Sequence, residues 1–261
     1  MSQIIIHVFV VLVATIAGSS VGLGGGVVIK PLLDMFTTSP TATINFYSSV
    51  AVFTMAVVSV SKQIKQHFKF DKAKLFSVAA GAVIGGVVGQ DLLQIVIKSF
   101  PSHTVRIVQS VLLFITLLLV LLYSLNRSHL KSFHVSNVWL IIILGFLLGT
   151  LSVFLGIGGG PINVAAMLLL FSFNMKEAAV YSVGIIFFSQ ITKLIMVCLP
   201  GHHVAFAWPI MISVILSAVV GGYMGTIINR KLDSSHLSVI YNALIATLLV
   251  VTLINVVRFV L

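Results

Sequence analysis

Apolar residues fill long blocks of the chain, at about 4–36, 42–61, 75–97, 105–125, 138–173, 178–198, 206–228 and 237–257, and short polar loops separate them. A helix of about 20 apolar residues crosses a hydrocarbon core about 30 Å thick. Most of the blocks have that length and predict single crossings. The first and fifth are longer, and a straight helix of more than about 30 residues would approach 50 Å. Both are broken near the middle by glycines: Gly22-Leu23-Gly24-Gly25-Gly26 in the first, Gly156-Ile157-Gly158-Gly159-Gly160 in the fifth. Irregular backbone at membrane depth strands N–H and C=O groups unless protein surrounds it or it lines a cavity. The pattern therefore predicts an all-α polytopic membrane protein with two broken helical segments whose glycines are shielded from lipid.

The two broken segments head two similar halves. Gly22 and Gly24 to Gly26 align with Gly156 and Gly158 to Gly160, and Tyr47-Ser48 aligns with Tyr181-Ser182 at the same offset. After a two-residue shift, Gly85, Gly86 and Gly89 align with Gly221, Gly222 and Gly225. The chain thus divides into one structural repeat at 1–130 and another at 131–261, within a single transmembrane domain. Each repeat reads as a broken segment followed by three helices. Interrupted segments in matching positions of two halves point to a transporter with its site near the mid-plane. The spaced glycines from Gly85 and from Gly221 suit close helix packing instead.

Basic residues decide how the broken segments thread. If each crosses the membrane once, Lys62, Lys65, Lys69, Lys72, Lys74, Arg127, Lys131 and Arg258 fall on one side. Lys98, Arg106, Lys176, Arg230 and Lys231 then fall on the other, a weak bias. If each re-enters, with its glycines at the hairpin tip, Lys176, Arg230 and Lys231 move to the first side and only Lys98, Arg106 and Arg258 remain opposite. Cytoplasmic loops carry the excess of Lys and Arg. The re-entrant threading fits better, and it makes the halves inverted repeats with both chain ends outside.

Composition agrees. Of 261 residues, 59% are hydrophobic and 8% charged, and the mean hydropathy is +1.20; a soluble domain carries about 25% charged residues. The net charge of +10 lies mostly in short loops, so it reads as positive-inside bias and not as a nucleic-acid surface. The single Cys198 permits no internal disulfide and no metal site alone. Met1-Ser2-Gln3 lacks a basic leader, so the first apolar block reads as part of the fold. His67, His103, His129, His134, His202, His203 and His236 read as loop residues or residues at span ends. No nucleophile, base and acid fall together at depth, so neither a catalytic set nor a metal or cofactor is expected.

A half-helix starting inside the membrane presents free N–H groups and the positive end of its dipole, which together suit an anion. Glycine lets a ligand approach the main chain and adopts positive φ at a tight tip. Pro161 suits a first helical turn. Gly24, Gly25, Gly26, Gly158, Gly159 and Gly160 are therefore candidate anion-binding residues. Lys30 and Lys193 lie within apolar blocks, where charge is costly and usually faces a cavity. Tyr47, Ser48, Tyr181, Ser182, Ser189, Gln190 and Asn163 could complete an oxyanion's ligand set.

The motif Gly22-x-Gly24-Gly25-Gly26 with Pro31-x-Leu33, answered by Gly156-x-Gly158-Gly159-Gly160, resembles the TauE/SafE family of sulfite and sulfonate exporters. The likeness extends over nearly the whole chain. It departs in the second motif, where Pro161 follows the glycines directly and Ala165 stands where Pro31 stands in the first. The resemblance implies a multi-pass permease of the plasma (inner) membrane for small sulfur-containing anions or small organic anions. The expected partners are that anion and membrane lipid, with no nucleic acid; assembly into a homo-oligomer stays open. A channel-like anion pore and a non-transporting membrane scaffold are the competing readings. Of the five acidic residues, Asp34, Asp71, Asp91, Glu177 and Asp233, most are expected near loops or span ends. With no evident buried proton relay, anion efflux driven by membrane potential is expected, at about 2.3 kcal/mol per charge per 100 mV.

Overall fold

The computed structural model describes residues 2–66, 68, 71–127, 132–198 and 204–260. Lys69, Lys131, His67, His129, His202 and His203 fall outside the described residues, as do the side chains of Lys72 and Cys198. The described residues form helices without a strand: α1 (Ser2–Val21), α2 (Gly26–Phe36), α3 (Thr41–Lys65), α4 (Lys72–Ser99), α5 (Ser102–Leu125), α6 (Val138–Phe154), α7 (Gly160–Leu170), α8 (Met175–Cys198), α9 (Trp208–Lys231) and α10 (Ser234–Val260). Among them, α1, α3, α4, α5, α8, α9 and α10 are long and apolar enough to cross a membrane. The first broken block is the pair α1 and α2; the fifth is the pair α6 and α7. The all-α polytopic class is therefore as expected.

Contacts fix the helix directions. Gly221 of α9 lies against Thr15 of α1 and Gly225 against Ser19, so α1 and α9 run the same way. Met55 beside Gly222 and Ser59 bonded to Thr226 add α3 to that set. Helices α4, α6 and α8 run oppositely. Gly81 meets Ile142 and Gly89 meets Thr150 between α4 and α6; Phe53 stacks on Phe187 between α3 and α8, and Val60 and Ile64 share a groove with Gly184. The first arms of the two hairpins, α1 and α6, are thus antiparallel.

Close packing explains the spaced glycines. A Cβ on Gly81 or Gly85 would stand 2.0 Å from a carbonyl oxygen of α6, and one on Gly225 would stand 2.3 Å from Ile16 O of α1. Without side chains there, backbones approach closely, the usual packing solution where lipid offers no hydrophobic drive. The strongest pairings, α4 with α6, α1 with α9, α3 with α9 and α5 with α10, all join one half of the sequence to the other. The halves interleave, so no packing boundary falls near residue 130.

The basic residues gather at one end of the bundle. Lys176 Nζ donates to Arg230 O at 2.7 Å, Arg127 donates to Phe173 O, and Lys62 Nζ lies 3.2 Å from the centre of the Tyr223 ring. Arg258 and Arg106 sit at the other end, where Arg258 donates to Met35 O and Arg106 lies over Phe259.

At the basic end Asp71 caps α4, its carboxylate accepting from Lys74 N at 3.2 Å. That bond to Lys74 N–H holds the carboxyl below its usual value of 3.8. Removing an N-cap side chain costs about 0.5–2 kcal/mol, and this one is partly exposed. Asp71→Ala is expected to destabilise the detergent-solubilised protein by about 1 kcal/mol at neutral pH. A folded carboxyl held low contributes stability above its unfolded pKa, and loses it as pH falls through the folded value. The gap between variant and wild type, measured by thermal unfolding, should therefore hold at neutral pH and close only below about pH 4.

Candidate functional site

Each hairpin turns at its glycines. Gly22, Gly24 and Gly25 have φ of 79°, 77° and 68°, and Gly156, Gly158 and Gly159 have 72°, 76° and 75°. This left-handed backbone is costly for any residue with a Cβ, which is why the break is built from glycine and repeats so closely. Gly24 N–H donates back to Gly18 O at 3.3 Å, and Gly25 lies beside Ala14 and Thr15. The first tip therefore folds back along α1 before α2 begins. In the second hairpin Gly159 lies against Ser152 in the same way.

The two tips touch. A Cβ on Gly26 would stand 2.4 Å from Ile157 O, and one on Gly160 would stand 1.8 Å from Leu23 O. The contact is reciprocal, because Leu23 and Ile157 hold matching places in the two motifs. Ser182 of α8 fastens both tips, donating to Gly22 O at 2.6 Å and reaching Gly160 O at 3.4 Å. Helices α2 and α7 start here, after Gly25 and Gly159, with no side-chain cap on either. In α2 the N–H groups of Gly26, Val28 and Ile29 already donate to Gly24 O and Gly25 O, and in α7 Asn163 N–H donates to Gly159 O while Pro161 has no N–H. Of the first turn of α7, only Gly160 and Ile162 are left to offer an N–H to a ligand.

Unpartnered buried polar groups collect around the second tip. Asn163 is fully buried and both its amide atoms lack a hydrogen bond among the described residues; so do both of Asn45's, Gln190 Nε2, Ser48 Oγ and Lys193 Nζ. A Cβ on Gly156 would stand 2.5 Å from Asn45 Oδ1, and one on Gly158 would stand 3.6 Å from Gln190 Nε2. Gly159 faces Asn163 Oδ1 at 3.3 Å by the same measure. Asn45 and Lys193 line one cavity of about 20 Å3 with Ser49 and Gln90. That is room for about one water molecule. Each unsatisfied buried polar group costs roughly 1–3 kcal/mol, and this concentration makes the region the candidate site.

The charges there are uneven. Lys30 Nζ pairs with Asp34 at 3.1 Å, both side chains buried, and Arg106 Nε stands 3.9 Å from the same carboxylate. Asp34 thus lies near a helix end, two residues before the end of α2, but is buried there among basic partners. Lys193, 2% exposed, has neither a hydrogen bond nor an ion pair among the described residues. The region carries more positive than negative charge.

The remaining expected residues have other partners. Tyr47 OH accepts from Ala207 N–H at 2.8 Å, and Tyr181 OH accepts from Asp71 N–H at 2.6 Å. Ala207 and Asp71 are the N-cap residues of α9 and α4, so the repeated tyrosines hold the starts of matching helices. Ser189 donates to Ile186 O within α8. Asn45, Gln90 and Asp34 were not anticipated as site residues. His7 was not either: it is fully buried, its Nδ1 2.7 Å from Gln3 O and its ring edge-on to Tyr47. For Asn45 a signal existed in the sequence: Asn45, Ser48 and Ser49 recur at helical spacing on one face of an apolar helix.

Two glycine-tipped helical hairpins meeting inside an apolar helical bundle, with polar groups buried around them, define a transporter-like membrane protein. The chain belongs to the sulfite exporter TauE/SafE family, which it matches over residues 7–255. It is 28% identical over 254 residues to the "Probable membrane transporter protein YunE" of Bacillus subtilis (strain 168), covering 90% of this chain and 92% of that one. No solved structure matches it. It is a multi-pass membrane transporter of the plasma membrane.

Proposed function

We propose that the protein is a permease that exports small sulfur-containing anions, sulfite or sulfonates, through a site beside the apposed glycine tips. The observation that carries this reading is Lys193: a buried lysine without a counter-charge among the described residues, sharing a cavity with the unpaired amide of Asn45 and one turn of α8 from Gln190. Burying an uncompensated charge costs several kcal/mol, and a bound anion would remove that cost. Three oxygens of a sulfite or sulfonate would accept from Lys193, from the side-chain amides and from the uncapped N–H groups of α7. Lys30 is balanced by Asp34 one turn along α2, so Lys193 is the lysine left to meet an anion.

The matched tips, the matched tyrosine contacts and the antiparallel α1 and α6 support inverted repeats with two re-entrant hairpins. The basic end then faces the cytoplasm, and the ends of the chain lie on the other side. The tips are packed and the adjoining cavity is small, which suits a carrier closed around its site better than an open pore.

Purified protein in liposomes tests this. Sulfite or a short sulfonate should leave the vesicles faster than through protein-free membrane, and faster still under an imposed outward-driving voltage at equal pH on both sides. Flux of acetate and chloride equal to that of sulfite would sink the substrate class; strict dependence on a pH gradient would sink the voltage-driven mechanism.

A further inference from the structure

A second cavity, of about 130 Å3, opens at the basic end and is lined by Gln63, Lys176, Val180, Thr226, Asn229 and Arg230. Six of its lining residues answer residues of the small cavity at Lys193 under the offsets that align the two halves, whereas Asn45, Ser49, Ile97 and Lys193 of the small cavity have no counterpart in its lining. Lys176 and Val180 hold the places of Ala42 and Phe46; Thr226, Asn229 and Arg230 hold those of Gln90, Leu93 and Gln94. Gln63 holds the place of Val197. The match comes from the independent placement of two voids, not from the glycine motifs. The two cavities lie toward opposite ends of the bundle: Ala42 is at the start of α3, whereas Gln63 is at its end.

They differ in two ways. The one at the basic end is several times larger, and it carries Lys176 and Arg230 where its counterpart has the uncharged Ala42 and Gln94. From this we infer that the Gln63–Arg230 cavity is the intake station for the transported anion, and that the contracted cavity at Lys193 is its release mouth, the two opening in turn. The inference rests on the anion-permease reading. In two inverted halves, the conformation of one half can be taken up by the other, so a wide cavity at one end implies a state with the wide cavity at the other. The ligand is a small oxyanion, drawn to the intake station by a cationic mouth. Exposed cations on one mouth raise local anion concentration and weaken with salt.

Cysteine accessibility tests the pairing without relying on flux. In full-length protein carrying Cys198→Ser, which removes the single native cysteine, Val180→Cys and Phe46→Cys place thiols at matched positions of the two cavities. A membrane-impermeant maleimide should label Val180→Cys from the basic side at least about tenfold faster than it labels Phe46→Cys from the other. Saturating sulfite on the basic side should slow the first reaction and speed the second. Filling the intake cavity with Thr226→Trp should likewise speed Phe46→Cys labelling; the sulfite arm guards against a misfolded tryptophan variant. Equal, simultaneous labelling from both ends, or Phe46→Cys labelling indifferent to both treatments, overturns the inference. Arg230→Gln, which installs the counterpart residue, should raise the KM for sulfite from the basic side about fivefold at low salt and less at high salt; an unchanged KM overturns the intake role. If labelling alternates but no sulfonate or sulfite moves, the substrate reading fails and the paired mouths stand.

Discussion

Lys193→Met should lose anion transport and gain stability. The two expectations have opposite signs, which is what separates a ligand-binding lysine from a structural one. In the ligand-free protein Lys193 Nζ is buried with no partner. Burying an unpaired charge costs several kcal/mol, so an apolar side chain of similar length in its place should be neutral or stabilising. The anion, in contrast, would lose a charge-assisted hydrogen bond worth roughly 1.5–3 kcal/mol, or about 10- to 100-fold in affinity. Thermal unfolding of the detergent-solubilised protein reads both. Sulfite at about 100 times the wild-type Kd should stabilise wild type by about 2.7 kcal/mol, and the same concentration should stabilise the variant by only about 0.4–1.4 kcal/mol. A variant that melts lower than wild type without ligand would make Lys193 a structural residue, and a variant with undiminished flux would place the anion elsewhere.

Asn45→Leu is the companion experiment, since its unpaired amide borders Gly156 and the Lys193 cavity. Loss of sulfite stabilisation in both variants would put the ligand between α3 and α8. The pair Lys30 and Asp34 is a poor place to look for the same effect. Removing Asp34 leaves Lys30 buried and alone, a loss of about 3–5 kcal/mol that would mask any change in binding, and removing Lys30 leaves Asp34 only the more distant Arg106.

Features fixed by backbone geometry were legible in the sequence. Glycine in left-handed conformation leaves a mark in composition, so the hairpin tips at Gly24 to Gly26 and Gly158 to Gly160 stand out, as do the helix-packing glycines of α4 and α9. Features fixed by tertiary pairing were not. Asp34 looks like an ordinary residue near a span end, one turn from Lys30 on α2, until α5 brings Arg106 to it. Asn45 precedes the conspicuous Tyr47-Ser48 pair and is polar like many residues around it; only its position against Gly156 distinguishes it. The repeated tyrosines show the converse. Tyr47 and Tyr181 recur because two helix starts need the same bond, and a repeat in sequence reports a shared structural duty as readily as a shared ligand.

The tip contact makes a second large prediction, and it changes how glycine substitutions should be read. Gly160→Ala should prevent the protein from reaching its folded state. A Cβ at Gly160 would lie 1.8 Å from Leu23 O and 2.0 Å from Leu23 C. These are backbone atoms of the opposite hairpin, so no side chain can swing aside, and the hairpins would have to separate. Gly24→Ala offers a milder case: its φ of 77° costs about 1–2 kcal/mol for an L-residue, but the atom in the way is Ile186 Cδ1 at 2.6 Å, the far end of a flexible side chain. Gly86→Ala is the control. Its nearest neighbours lie at 3.5 Å, an ordinary contact, and alanine in a helix is favoured over glycine by about 1 kcal/mol. Monodisperse yield and melting temperature in detergent should therefore rank Gly86→Ala at or above wild type, Gly24→Ala below it, and Gly160→Ala at aggregation. A Gly160→Ala protein that folds normally would mean the tips stand apart in the membrane. Loss of flux after substituting Gly159 or Gly160 therefore says little about anion binding until folding has been measured, whereas Lys193, which does not touch the tip glycines, reports on the anion directly.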